Sequence, residues 1–269
     1  MSIKLVAVDI DGTLITSDRQ ITPQVFEAVQ EAKAAGVKIV ITTGRPIAGV
    51  QSLLEELQLN EPDNYVITFN GGLVQDTSSG EELLKEVLSY DEYLDIEVLA
   101  NKLGIHSHAI TKDGIYTSNR DIGKYTVHES TLVNMPIFYR TPRELSDKEF
   151  VKAMYIDEPE ILDQAIAKIP EEFYERFTIV KSRPFYLEIL RKTASKGEAV
   201  KHLAETLGYT LDETMAIGDE ENDRAMLEVV GHPVVMENGT SALKEIARHI
   251  TKSNDESGVA HAIRKWVLN

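Results

Sequence analysis

Five short apolar segments rich in Val and Ile recur near the two ends of this 269-residue sequence. Apolar residues at consecutive rather than alternate positions are typical of parallel strands that are buried on both faces. The segments are Ile3–Val8, Val37–Thr42, Tyr65–Phe69, Thr214–Ile217 and Val234–Met236. Helical patterns separate them, and repeated strand–helix–strand units with short links predict a parallel sheet covered by helices on both faces.

The helical patterns carry start and stop signals. Thr22 followed by Pro23 fits an N-cap and a first helical residue, and Gly36 fits the end of that helix. Ser195-Lys196-Gly197-Glu198 has the spacing of a capping box. Apolar residues at helical spacing also predict one continuous helix over Pro46–Leu57.

The middle of the chain has a different pattern. Asp91–Leu103 predicts a helix, two β runs flank the turn Asp113-Gly114, and strands are predicted over Val151–Ile156 and Tyr186–Ile189. The expected fold class is therefore α/β, with a doubly wound, Rossmann-like parallel sheet and an inserted α+β domain. We expect residues 1–83 and 190–269 to form the core and residues 84–189 to form the insertion.

Composition excludes several classes of protein. The sequence has no cysteine, which excludes disulfides, thiolate zinc sites and iron–sulfur clusters. The net charge of -16 argues against nucleic acid and anionic membrane surfaces as partners, because both select Lys and Arg. The amino terminus becomes acidic at Asp9, too early for a signal peptide, and no apolar run approaches the roughly 20 residues that span a bilayer. We therefore expect a cytoplasmic protein.

Two acidic motifs follow predicted strands. The first is Asp9–Leu14, where two carboxylates one residue apart come just after a buried strand, the place where open α/β sheets bind ligands. A plain polar turn is the alternative. The second is Gly218–Asp223, whose carboxylates suit Mg²⁺, although an acidic helix N-terminus is favourable by itself.

Two further elements carry hydroxyl, amide or ammonium groups. Thr43 and Gly44 end the second predicted strand and could hold phosphoryl oxygens, although Thr-Gly is also common at turns. Lys196 begins a predicted helix, where the helix dipole disfavours a cation unless a carboxylate or phosphate compensates. Asn70 follows the third strand and either lines the same pocket or forms a turn.

In this order, the four elements resemble the haloacid dehalogenase-like hydrolase superfamily over the whole chain. Asp9–Thr13 resembles its Asp-x-Asp-x-Thr motif, and Gly218–Asp223 resembles its Gly-Asp-x-x-Asn-Asp motif. The long interval between Thr43 and Lys196 is similar to that of the Cof-type sugar-phosphate phosphatases, whose α/β cap is inserted there. Ser253–Ala260 also resembles that subfamily.

The resemblance implies a phosphoric monoester hydrolase that depends on Mg²⁺. Asp9 is the implied nucleophile, which becomes an aspartyl-phosphate, and Asp11 is the implied general acid and base. The residues implied in metal binding are Asp9, Asp11 (through its backbone carbonyl), Asp219 and Asn222. Those expected to hold the substrate are Thr43, Gly44, Asn70 and Lys196, with Asp223 behind them orienting Lys196.

The expected partner is a small phosphorylated metabolite, with sugar phosphates as the implied class and nucleotide or cofactor phosphates left open. Asp11 disfavours a dehalogenase, because those relatives lack a carboxylic acid at this position. The alternatives are a phosphomutase or phosphotransferase, and a catalytically weak regulatory protein on the same fold. The sequence does not indicate an oligomeric state.

Overall fold

Fourteen strands and ten α-helices are described over residues 2–269 of the computed structural model. The strands are β1 (Leu5–Asp9), β2 (Lys38–Thr42), β3 (Tyr65–Thr68), β4 (Leu73–Asp76), β5 (Glu82–Lys85), β6 (His106–Ile110), β7 (Ile115–Thr117), β8 (Ile137–Tyr139), β9 (Lys152–Ile156), β10 (Phe177–Arg183), β11 (Tyr186–Arg191), β12 (Thr214–Gly218), β13 (His232–Val235) and β14 (His249–Ile250).

The helices are α1 (Pro23–Ala34), α2 (Gln51–Glu56), α3 (Tyr90–Leu103), α4 (Lys124–Val133), α5 (Pro159–Ile166), α6 (Glu171–Arg176), α7 (Lys196–Thr206), α8 (Arg224–Val229), α9 (Ser241–Lys244) and α10 (Gly258–Ala262), the last continued by a π-helical turn over Ile263–Val267.

The chain divides into two units. The first comprises the chain up to Gly44 together with Val50–Lys85 and Ser195–Asn269, and the second comprises Arg45–Gly49 and Glu86–Ala194. The domain boundaries expected from the sequence, after residues 83 and 189, stay a prediction.

The first unit contains an eight-stranded sheet in the order β14-β13-β12-β1-β2-β3-β4-β5. The six strands from β14 to β3 run parallel, and β4 and β5 add antiparallel pairs at one edge. All five residues of central β1 are buried, as the apolar sequence predicted. Helices α7 and α8 pack on the face of β1 that carries Leu5 and Ala7, and α1 contacts β2. The expected α/β class is confirmed.

Local signals fix the ends of the helices beside the sheet. The Thr22 hydroxyl accepts a hydrogen bond from the Val25 N–H at 3.3 Å, and Pro23 begins α1, as predicted. Ser195 caps α7 by accepting from the Glu198 N–H at 3.1 Å. Each cap satisfies a backbone donor that the first helical turn leaves without a partner.

The continuous helix predicted over Pro46–Leu57 is wrong. The structure has a 3₁₀ turn over Ile47–Gly49, and then α2 begins after Val50, whose ψ of -5° and φ of -129° interrupt the helix. Gly49 weakens a helix at this point, and its carbonyl accepts a hydrogen bond from the Arg45 guanidinium at 3.4 Å.

The second unit contains a six-stranded sheet in the order β10-β11-β9-β6-β7-β8. The hairpin predicted at Asp113-Gly114 joins β6 and β7 as an antiparallel pair. Helices α3 and α5 pack against one face of this sheet, where Tyr155 is fully buried. Helix α3 ends at Gly104, which has a φ of +68°. Helices α4 and α6 were not predicted from the sequence, because both are short and polar.

Candidate active site

Adjacent parallel strands bring the predicted motifs to one edge of the first unit's sheet. Asp9 ends β1, Asp219 follows β12, and these two strands pair in parallel with each other. Thr42 lies opposite Asp9 in β2, so Thr43 leaves the sheet at the same edge. The carboxyl ends of neighbouring parallel strands thus gather residues that are far apart in sequence.

Lys196 links two of these loops through its ammonium group. Its Nζ donates to Asp9 Oδ1 at 2.5 Å and to Asp223 Oδ1 at 2.6 Å, and the residue is 1% exposed. Burial acts to lower the pKa of Lys196, but the two carboxylates outweigh it and raise the pKa above its ordinary value. The cation at the start of α7 therefore has the carboxylate partners that the helix dipole requires.

Asp223 holds both Lys196 and the loop after β12. Its Oδ2 accepts hydrogen bonds from the backbone N–H groups of Asp219 at 2.9 Å and Glu220 at 3.2 Å. Gly218 allows this approach, since a Cβ there would lie 2.6 Å from the Asp223 side chain. Both carboxylate oxygens of Asp223 already have protein donors, which suits a positioning residue better than a metal ligand.

The site has more buried negative charge than the protein neutralises. Carboxylate oxygens of Asp9, Asp219 and Asp223 lie within 4.8 Å of one another, with the one ammonium of Lys196 hydrogen-bonded among them. Burial and then Asp223 raise the pKa of Asp9 to about 8, although Lys196 opposes the shift. Burial also raises the pKa of Asp219 to about 7, against the hydrogen bond from Thr13.

This excess charge fits a bound divalent cation. Hard carboxylate oxygens are the donors that such ions select, and two added positive charges would hold Asp9 and Asp219 ionised near neutral pH. Gly12 makes room for this cluster, because its φ is +80° and a Cβ would lie 2.2 Å from Asp219 Oδ2.

The remaining predicted residues lie in the loops that follow β1, β2, β3 and β12. The Thr43 backbone carbonyl accepts from the Asn70 N–H at 2.8 Å, and a Cβ on Gly44 would lie 3.0 Å from the Asn70 amide nitrogen. These three residues therefore form one cluster. Asp11 is exposed, two residues after Asp9, and Asn222 is half-buried beside Asp223.

Sequence reasoning assigned no role to three residues that the structure places here. The Thr13 hydroxyl donates to Asp219 Oδ1 at 2.8 Å, joining the first and fourth motifs. The only available signal was the position of Thr13 within the first motif. The Asn238 and Asn254 side chains donate to backbone carbonyls of the loop after Asp9. Asn254 lies within Ser253–Ala260, whose resemblance to the Cof-type subfamily was its signal, but the sequence did not indicate these contacts.

Among residues 2–269, every helix is too short or too polar to cross a lipid bilayer. The cytoplasmic location expected from the sequence stays a prediction.

Known proteins resemble this chain along its whole length. A family model described as haloacid dehalogenase-like hydrolase matches residues 6–263. A protein of Streptococcus pyogenes serotype M6, provisionally named as a phosphatase, is 70% identical over 269 residues and covers 100% of both chains. A 5-amino-6-(5-phospho-D-ribitylamino)uracil phosphatase of Bacillus subtilis is 30% identical over 270 residues, which cover 100% of this chain and 97% of that protein.

A solved structure shows the same architecture. It is a haloacid dehalogenase-like hydrolase from Bacteroides thetaiotaomicron with a TM-score of 0.86 and 27% sequence identity. The match covers 98% of this chain and 99% of that chain.

Proposed function

Because the chain belongs to the haloacid dehalogenase-like hydrolases and is a phosphatase of that family, we propose that it hydrolyses small phosphate monoesters with Mg²⁺ and an aspartyl-phosphate intermediate on Asp9. One observation carries the proposal. Lys196 is hydrogen-bonded to Asp9 and Asp223 inside a group of three buried carboxylates that one ammonium does not neutralise.

The proposed Mg²⁺ ligands are the Asp9 carboxylate, the Asp11 backbone carbonyl and the Asp219 carboxylate, with Asn222 orienting bound water. When bound, the ion supplies positive charge that offsets the repulsion between these carboxylates and an incoming phosphate. Thr13 orients Asp219 for this task by its hydrogen bond to Oδ1.

The first chemical step transfers the phosphoryl group to the protein. The Asp9 carboxylate forms a bond to phosphorus while the bond from phosphorus to the ester oxygen breaks. Asp11 gives its proton to that departing oxygen, which leaves as an alcohol. Lys196 and the Thr43–Gly44 loop hold the phosphoryl oxygens, since positioning and charge stabilisation dominate phosphoryl transfer.

The second step restores the enzyme. The Asp11 carboxylate takes a proton from a water molecule, whose oxygen forms a bond to phosphorus. The bond between phosphorus and the Asp9 oxygen breaks, which releases inorganic phosphate and the free carboxylate. Asp11 thereby regains the proton that it gave in the first step, so protons balance over the cycle.

Sugar and polyol phosphates are the proposed substrate class. The resemblance to Cof-type phosphatases supports it, as does the Bacillus subtilis relative, which by its name acts on a phosphoribitylamino compound. The experiment is a screen of sugar, polyol and nucleotide monophosphates for phosphate release with Mg²⁺ or with EDTA. We expect release from sugar or polyol phosphates that requires Mg²⁺.

Absence of metal-dependent release from the whole panel would favour a regulatory protein on this fold. Phosphoryl transfer to an added sugar that exceeds transfer to water would instead identify a phosphotransferase or mutase.

A further inference from the structure

The loop that carries Asp11 is held by side chains from two other loops of the first unit. We call Ile10–Ser17 the acid loop. It begins with a tight turn in which the Ile10 carbonyl accepts from the Leu14 N–H at 3.0 Å and the Ile15 N–H at 3.2 Å. Asp11 and Ile15 form a β-bridge across this turn, so the position of Ile15 fixes that of Asp11.

Asn238, in the turn after β13, fixes the carbonyl next to Asp11. Its Nδ2 donates to the Gly12 carbonyl at 2.8 Å, and its Oδ1 accepts from the Asn254 N–H at 3.1 Å. Asn238 thus bridges the acid loop and the segment that follows β14.

Asn254 reaches the other side of the same turn. Its Nδ2 donates to the Ile15 carbonyl at 2.9 Å, and the residue is 8% exposed. The neighbouring Asp255 carboxylate accepts from the Ser17 N–H at 2.8 Å and from the Ser17 hydroxyl at 2.9 Å. Gly12, Ile15 and Ser17 are therefore all held by side chains from outside the loop.

The segment that makes these contacts is itself fixed. We call Ser253–Gly258 the brace. The Gly258 N–H donates to the Ser253 carbonyl at 2.9 Å, and the Gly258 carbonyl accepts from the Thr251 hydroxyl at 2.7 Å. A Cβ on Gly258 would lie 2.1 Å from the Lys252 carbonyl oxygen. The brace is therefore a tightly packed turn that can hold the acid loop in place.

We propose that Asn254, with Asn238 as its bridge, is a positioning residue that holds Asp11 where it can protonate the leaving oxygen. This inference rests on the proposed function. Asp11 lies in the loop that Asn238 and Asn254 contact, whereas the hydrogen bonds of Lys196 to Asp9 and Asp223 do not involve either asparagine. Loss of the brace therefore displaces the acid while it leaves the nucleophile in place.

This division of effects has a chemical signature. An alkyl phosphate expels a strongly basic alkoxide, which needs a proton as it leaves, whereas a nitrophenolate is stable as an anion near neutral pH. A positioned general acid is typically worth about 10²–10⁴ in rate when a proton is needed. Misplaced Asp11 should therefore slow the first step much more for alkyl phosphates than for p-nitrophenyl phosphate. The second step uses Asp11 in the same way for every substrate, so the quantity to compare is kcat/KM, which reports the steps up to release of the leaving group.

The test compares kcat/KM for both substrates, at saturating Mg²⁺, in the wild type and in Asn254→Asp. This variant keeps the size of the side chain, but its carboxylate faces the Ile15 carbonyl without a donor. We expect kcat/KM for the alkyl phosphate to fall about 10–100-fold and kcat/KM for p-nitrophenyl phosphate to change less than about threefold. Ser253→Ala is the matched control, because the Ser253 hydroxyl donates to Glu256 within the brace. This variant should behave as the wild type.

Equal losses on both substrates, or no loss on either, would overturn the proposal, because a general loss of structure does not discriminate between leaving groups. If Asn254→Asp does not fold, Asn238→Ala is the second variant. Asn238 is exposed, and its replacement removes the hydrogen bond to the Gly12 carbonyl. It should show the same selective loss of activity on the alkyl phosphate. A wild type that releases phosphate from neither substrate and from no member of the panel above would refute the proposed function itself. An active wild type with an unchanged substrate ratio in both variants would refute only the role of the brace.

Discussion

Two buried lysines, one in each unit, lie between pairs of carboxylates, and they differ in how tightly they are held. Lys196 lies 2.5 and 2.6 Å from Asp9 and Asp223. Lys152, on β9, lies 3.3 Å from Glu188 and 3.6 Å from Glu129. Both lysines are almost fully buried, at 1% and 3% exposed.

The surroundings of the two lysines differ more than the pairs themselves. A third buried carboxylate, Asp219, joins the Lys196 cluster, and the pKa of Asp9 rises to about 8 through burial and then Asp223. His108 lies beside Lys152. Burial lowers the pKa of His108 to about 3, and the charge of Lys152 contributes to the same shift. The first cluster therefore has three carboxylates for one ammonium, whereas the second has two carboxylates for one ammonium and a neutral imidazole. The larger excess of carboxylates around Lys196 is what the proposed metal site predicts.

The largest expected effect is a loss of turnover without a loss of folding when the nucleophile in the Lys196 cluster is replaced. Asp9→Asn should lower kcat about 10³-fold or more, because the nucleophile is lost, while the protein stays folded. Without metal it should be at least as stable as the wild type, since a buried carboxylate is replaced by a neutral amide of similar size. Phosphate release and thermal unfolding measure the two effects, and wild-type activity would refute the nucleophile assignment.

Removal of each lysine tests whether the two clusters respond differently to metal. Lys196→Met and Lys152→Met should each destabilise the protein by roughly 3–5 kcal/mol, because each leaves buried carboxylates without their cation. Added Mg²⁺ should restore part of the stability of Lys196→Met and none of that of Lys152→Met. Urea unfolding with and without MgCl₂ measures this; equal responses in the two variants would remove the distinction between the clusters.

The stability of the metal-free protein should depend on pH because of the excess carboxylates around Lys196. The folded pKa values of Asp9 and Asp219, about 8 and about 7, lie above the ordinary 3.8. The folded state therefore holds protons that the unfolded chain has released, and stability is lost as the pH rises from about 4 to about 8. Saturating Mg²⁺ should remove most of this loss. Thermal unfolding in EDTA and in Mg²⁺ across this range is the measurement, and a flat metal-free profile would contradict it.

The smallest expected effect is the pH dependence of stability that His108 causes beside Lys152. Its sign is opposite to that of the effect of Asp9 and Asp219. The folded pKa of His108, about 3, lies below the ordinary 6.5, so the unfolded chain binds a proton that the folded state excludes. Its contribution to stability is present above about pH 6.5 and lost as the pH falls toward 3. His108→Gln should flatten this acid limb of the unfolding profile without altering the Mg²⁺ response. An unchanged acid limb would show that other groups dominate it.

Sequence motifs located the Lys196 cluster because its residues stand at strand and helix ends, where the parallel order of β12, β1 and β2 determines which loops meet. Lys196 and Asp9 are 187 positions apart, and their contact follows from that order. The roles assigned to these residues stay proposals. The contacts of Asn238 and Asn254 could not be predicted, because they involve backbone carbonyls, which every residue has. Helix α4, which carries Glu129, escaped prediction because its sequence has little apolar periodicity.

Mg²⁺ binding to the metal-free protein, measured by titration calorimetry, tests most directly whether the carboxylates around Lys196 form a metal site. The wild type should bind one ion, Asp219→Asn should bind at least about tenfold more weakly through loss of a ligand, and Glu129→Gln, the matched change beside Lys152, should bind as the wild type. A wild type that binds no Mg²⁺, or an Asp219→Asn variant that binds it equally well, would contradict the account.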